Sequence, residues 1–290
     1  MIFQETYTLS NGIKIPRLGF GTWCIRDEKV EKAVQAALQI GYRHIDTAQV
    51  YGNERGVGEA IRQSKIKRED IFLTSKIAAE AKDYDTAMKT IEGTLAKTQM
   101  EYIDMMIIHS PQPWDEVNVS ENRYEEGNRE AWRALEDAYQ SGKIRAIGVS
   151  NFNCHDIENI LSIAKIKPMV NQILCHIANT PLELIDFCHE NGIIVEAYSP
   201  IAHGEAFKIK EIEDMAKKYE VTVPQLCIRY DWQLDTVVLP KAENPEHIKE
   251  NSQIDFVISD EDMNTLKQVE LIKNYGEYSH YPVYANPGKK

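Results

Sequence analysis

The sequence predicts an α/β fold, a (β/α)8 TIM barrel entered through a β-hairpin, on three grounds. Short apolar runs alternate with helix-period segments along most of the chain, the pattern of parallel strands joined by right-handed crossover helices. Eight such runs can be counted. Ionisable side chains recur at the C-terminal ends of several of them, where a barrel keeps its chemistry.

The hairpin is expected at about residues 6–15. The strand candidates follow as L-G-F-G-T-W (18–23), H-I-D-T-A (44–48), I-F-L-T-S-K (71–76), Y-I-D-M-M-I-I-H (102–109), R-A-I-G-V-S (145–150), P-M-V-N-Q-I (168–173), I-I-V-E-A-Y-S (193–199) and T-V-V-L-P (236–240). Between the first two, Val30, Ala33, Val34, Ala37 and Leu38 make one apolar helical face that stops at Gly41, a natural left-handed cap. Trp132, Leu135 and Tyr139 mark the fourth helix in the same way, and further helices are expected at about 207–220 and 260–271. A single domain over 1–290 suffices, because such a barrel takes ~250 residues. The competing architecture is a doubly wound nucleotide-binding sheet. Its glycine fingerprint is missing: G-F-G-T-W-C (19–24) lacks the third glycine, and G-V-G-E-A-I (56–61) opens a helix without a strand directly before it.

A net charge of −12 argues against a nucleic-acid partner, whose phosphates call for a basic face. The first residues lack a basic-then-apolar run, and no stretch reaches the ~18 apolar residues of a membrane span, so a cytoplasmic protein is expected. Five cysteines without C-x-x-C spacing fit reduced thiols, and Cys24 reads as a small buried hydrophobe in preference to a redox group. The sequon at Asn118 carries little weight without a secretory signal. No metal-ligand motif or phosphate-binding P-loop is present.

Within G-Y-R-H-I-D-T-A-Q-V-Y-G-N (41–53), Asp46 ends a strand and Tyr51 follows on a polar loop. Lys76 closes the next apolar run and His109 the one after it. Such groups are costly at apolar strand exits unless they share a polar pocket. Singly, each has a structural reading: Asp46 as partner of Arg43, Tyr51 as a packed aromatic, Lys76 as a solvated cation, His109 as a core histidine. Their coincidence at three successive strand ends outweighs these readings. A lysine at such a place also fits a Schiff-base aldolase.

These residues, with P-R-L-G-F-G-T-W ending at Trp23, G-V-S-N-F around Ser150 and Asn151, V-N-Q ending at Gln172, A-Y-S-P around Tyr198 and Ser199, and L-P-K-A-E-N-P-E-H-I-K-E-N (239–251), resemble the aldo-keto reductases over nearly the whole chain. The resemblance implies a nicotinamide-dependent carbonyl reductase with two extra helices on its barrel. Tyr51 is then general acid/base, Lys76 lowers its pKa, Asp46 holds Lys76, and His109 orients the carbonyl oxygen. Ser150, Asn151 and Gln172 would bind the nicotinamide carboxamide, Tyr198 would stack on the ring, and Ser199 would reach the pyrophosphate. Lys241, Asn244, His247, Glu250 and Asn251 would hold the adenosine phosphate end. Lys241 favours NADPH (NADP+), with NADH possible because Ala242 and His247 depart from the serine and arginine common in relatives. The short segment after Ser199 implies an open cofactor groove. Trp23, Ser110 and Trp114 are the expected substrate-pocket residues, for a small-molecule carbonyl substrate, and a monomer or weak dimer is expected. The competing class is a cofactor-binding regulatory or structural subunit, against which the intact set of four residues argues.

Overall fold

The computed structural model describes residues 2–285. Strands β1 (Thr6–Thr8) and β2 (Lys14–Pro16) pair antiparallel as the hairpin. There follow β3 (Gly19–Gly21), α1 (Asp27–Ile40), β4 (His44–Asp46), α2 (Glu54–Gln63), β5 (Phe72–Ile77), α3 (Tyr84–Thr98), β6 (Ile103–Ile108) and α4 (Glu125–Gln140). The second half runs β7 (Ile144–Ser150), α5 (Cys154–Leu161), β8 (Val170–Leu174), α6 (Leu182–Glu190), β9 (Ile194–Tyr198), α7 (Lys210–Lys218), α8 (Val223–Gln233), β10 (Val237–Leu239), α9 (Pro245–Glu250) and α10 (Asp260–Lys267).

Strands β3 to β10 lie in sequence order and all pair parallel. The ring closes where Val238 N–H donates to Arg17 O at 2.8 Å and Gly21 N–H donates to Pro240 O at 3.0 Å. The result is a (β/α)8 barrel. All eight expected strands are present, but β3 and β4 end early, before Trp23 and Thr47. There the backbone turns to form the rim, with Thr22 N–H bonding Asp46 O and Ile25 N–H bonding Thr22 O.

Period-two alternation sends strand side chains to opposite faces. On β5, Thr74 and Lys76 meet His44 and Asp46 of β4, while Ser75 between them donates to Glu54 of α2 at 2.7 Å. The apolar face of α1 is buried as its spacing requires, and Gly41 caps it with φ 131° and a bond to Ala37 O. Gly148 is demanded by the close approach of β7 and β8: a Cβ there would lie 2.7 Å from Val170 O. Helices α7 and α10 are additional to the repeats and are joined by the Lys218–Asp262 ion pair at 2.7 Å. No helix among the described residues is long and apolar enough to cross a membrane.

Candidate active site

The four strand-end residues converge at the C-terminal mouth. Lys76 has no exposed surface, and its ammonium donates to Asp46 Oδ1 at 2.7 Å, Asp46 Oδ2 at 2.8 Å and Thr47 O at 2.9 Å. Tyr51 Oη lies 3.4 Å from Lys76 Nζ, and its ring stands edge-on to His109 with centroids 5.7 Å apart. Arg43 turns away from Asp46 and bonds the carbonyls of Leu38 and Tyr42. The loop is held by Asn53, whose amide accepts from Thr47 Oγ1 at 2.7 Å and donates to Thr22 O and Ile25 O, each at 2.9 Å.

The electrostatics differ in one respect from expectation. Burial, with Asp46 nearby, pushes the Tyr51 phenol well above its ordinary value instead of Lys76 drawing it down. The physical reason is that Asp46 neutralises Lys76 at close range, so the pair offers Tyr51 little net positive field. Burial and the Lys76 charge hold His109 well below the usual imidazole range, hence neutral. Lys76 has no exposed surface and its ammonium is held by Asp46, Thr47 O and Tyr51 Oη, which counts against the free amine that the Schiff-base reading requires.

A cavity of about 740 Å³ opens above these groups. Of the expected carboxamide set, Ser150, Asn151 and Gln172 all line it, beside Tyr198 and Ser199. Three of them are joined: Tyr198 Oη donates to Asn151 Oδ1 at 2.7 Å, and Asn151 Nδ2 donates to Ser150 Oγ at 3.1 Å and to His109 O at 3.0 Å. Asn151 and Ser199 both adopt positive φ, 61° and 56°, so the chain turns at the strand exits and presents their side chains to the mouth. Amides and hydroxyls next to an aromatic face, with Lys241 on the same cavity wall, match the donors needed by a flat amide-bearing ring and a phosphate.

Trp23 and Trp114 line the cavity as expected, Trp114 edge-on to His109 at 4.8 Å between centroids. Ser110 does not belong to the wall. It is fully buried, accepting from Gln112 N–H and, at its carbonyl, from Lys82 Nζ, because the chain turns inward immediately after β6. Cys24 is corrected too: it lies exposed at the mouth, at φ 61° where the chain leaves β3. The segment after Ser199 is short, yet the groove is not open. The tail crosses it, with Tyr284 Oη 2.8 Å from both Ser199 Oγ and His203 Nε2, and Tyr281 and Tyr284 packed on Trp23. Asn118 of the 110–127 loop secures the tail by donating to Pro282 O at 3.0 Å.

The expected adenosine-end residues form a separate group on and around α9. Asn244 caps that helix by accepting from Glu246 N–H, His247 and Glu250 are exposed, Asn251 is buried, and none of the four lines the cavity. Glu243 faces Lys29 at 3.5 Å. The run of tyrosines Tyr275, Tyr278, Tyr281 and Tyr284 in the sequence fits either a tail folded over the mouth or a packed terminus, and the structure has Tyr278, Tyr281 and Tyr284 lining the mouth. Sequence reasoning missed His203, Val50 and Phe207, which also line it, and Glu196, buried beneath it, for which the acid within an apolar strand was the available signal.

The model of the aldo/keto reductase family matches residues 17–271. The chain is 39% identical over 265 residues to a glyoxal reductase of Bacillus subtilis, covering 91% of this chain and 92% of that protein. It is 37% identical to an aldehyde reductase of Saccharomyces cerevisiae, covering 93% and 92%. Among solved structures, an aldo/keto reductase from Brucella melitensis superposes with a TM-score of 0.85 at 35% identity, covering 92% of this chain and 98% of that one. The barrel, the four converging residues and these likenesses agree: the chain belongs to the aldo/keto reductase family.

Proposed function

We propose that this protein reduces small aldehydes, α-dicarbonyls and activated ketones to alcohols, with NADPH as the preferred dinucleotide. The observation that carries the reading is the buried Asp46–Lys76 pair 3.4 Å beneath the Tyr51 hydroxyl, with neutral His109 beside it at the floor of an apolar-walled cavity. The relatives named for glyoxal and aldehyde reduction support the substrate class.

The dinucleotide, when bound, supplies the hydride. Ser150, Asn151 and Gln172 would hold its carboxamide and Tyr198 would cover one face of its ring. Ser199 would meet the pyrophosphate and Lys241 the 2′-phosphate, with Asn244, His247, Glu250 and Asn251 toward the adenosine. His109, being neutral, directs a ring N–H at the carbonyl oxygen and polarises it. As negative charge grows on that oxygen, Tyr51 gives it the phenolic proton. Lys76, whose Nζ lies 3.4 Å from Tyr51 Oη, then stabilises the phenolate left behind by direct N–H donation, and Asp46 keeps the ammonium in place. Trp23, Val50 and Trp114 exclude water and orient an uncharged substrate; among the described residues no arginine lines the cavity to favour a carboxylate or phosphate.

Titration with NADPH and NADH by fluorescence, followed by a panel of aldehydes and ketones with nucleotide absorbance monitored, tests the reading. Tight NADPH binding with oxidation by a panel member is expected, and Tyr51→Phe should lower kcat by ~10²-fold or more with nucleotide affinity unchanged. Absence of nucleotide binding, or normal turnover by Tyr51→Phe, would overturn it.

A further inference from the structure

Glu196 has no exposed surface and no part in the chemistry described above. It lies on β9 directly opposite Gln172 of β8. The Gln172 side-chain amide donates from Nε2 both to Asp46 Oδ2 at 2.9 Å and to Glu196 Oε2 at 2.8 Å. An amide has one donor end and one acceptor end, and its NH2 end is the one able to serve two carboxyl oxygens at once. Asp46 alone would hold one N–H and leave the amide to swing about that bond. The second bond, to Glu196, locks its plane.

With both N–H groups directed to these carboxyls, Oε1 is the end of Gln172 left for a ligand at the cavity wall. The other titratable groups around Glu196 are Asp46 and His44 of β4 and Lys76 of β5; His44 Nε2 stands 3.7 Å from Glu196 Oε1. Burial, reinforced by Asp46, pushes the Glu196 carboxyl well above the usual carboxylate range. A neutral acid accepts the Gln172 hydrogen without adding a second negative charge beside the Asp46–Lys76 pair.

We propose that Glu196 is a positioning residue: it fixes the Gln172 amide so that the site offers an acceptor, and not another donor, to the carboxamide NH2 of the nicotinamide. The proposal rests on the reading that this cavity binds a nicotinamide dinucleotide.

The test compares NADP+ with its 3-acetylpyridine analogue, in which a methyl group replaces the carboxamide NH2, by binding alone at pH 7. The wild-type protein should bind the analogue about fivefold more weakly, the effect of one neutral hydrogen bond. In Glu196→Met, which fills the same buried space without an acceptor, NADP+ should weaken by about that factor while the analogue changes little, so the ratio falls toward one. Glu196→Gln should restore the ratio, since its carbonyl accepts from Gln172. Equal weakening of both ligands in Glu196→Met would reveal a merely structural role and overturn the proposal. So would equal wild-type affinity for the two, which decides the matter even if Glu196→Met does not fold. Failure of the wild-type protein to bind either ligand would instead defeat the nicotinamide reading.

Discussion

Replacing Asp46 by asparagine removes the charge opposite Lys76 and keeps the shape of the side chain. Lys76 has no exposed surface and Asp46 is 4% exposed, so the ammonium left behind has little water to turn to. It would keep Thr47 O at 2.9 Å and one amide oxygen, but lose its counter-charge. Removing one partner of a buried ion pair costs about 3–5 kcal/mol. For 290 residues the unfolding entropy is about 0.6 kcal/mol per kelvin, so Tm should fall by about 5–8 °C. Thermal melts followed by circular dichroism at pH 7 measure this directly. Adding Lys76→Met to Asp46→Asn removes the stranded charge and should recover most of the loss. A fall of less than about 2 °C, or a double variant less stable than Asp46→Asn, would refute the claim that the pair is desolvated and mutually dependent.

Tyr284→Phe removes the hydroxyl that bonds Ser199 and His203, so the tail should leave the groove more readily and NADPH should associate about fivefold faster in stopped-flow; unchanged or slower association would show that the tail does not compete with the dinucleotide. Burial lowers the His203 pKa to about 4 from 6.5. Between those values the unfolded chain binds the proton that the folded chain refuses, so stability falls as pH drops through this window, by about 2 kcal/mol at pH 5. Denaturant melts of wild type and His203→Gln should diverge accordingly, and parallel pH profiles would contradict this. His247→Arg should tighten NADPH relative to NADH if this exposed side chain reaches the 2′-phosphate; an unchanged ratio in the two titrations would place it elsewhere.

The eight strands and the principal crossover helices were legible because their signals are local. Buried apolar runs, the Val30–Leu38 face and the Gly41 cap each declare themselves within a few residues. Asp46, Lys76 and His109 were legible for a related reason, since an ionisable group at the exit of an apolar strand is anomalous wherever it occurs. The sequence by itself thus determined the fold class and the positions from which the chemistry projects. The resemblance also implied the pairing of Asp46 with Lys76, but the sequence did not determine the balance of charge at Tyr51 or what the other groups meet. Asp46 cancels the charge of Lys76 and leaves Tyr51 with a raised pKa, and Ser110 turns into its loop while Cys24 turns out. The Gln172 amide is pinned between Asp46, 126 residues away in sequence, and Glu196. Tyr284 bonds Ser199 across a separation of 85 residues. These relations follow from barrel register, closure of the ring and the path of the tail, which bring distant side chains within bonding distance, and only the tertiary structure decides them.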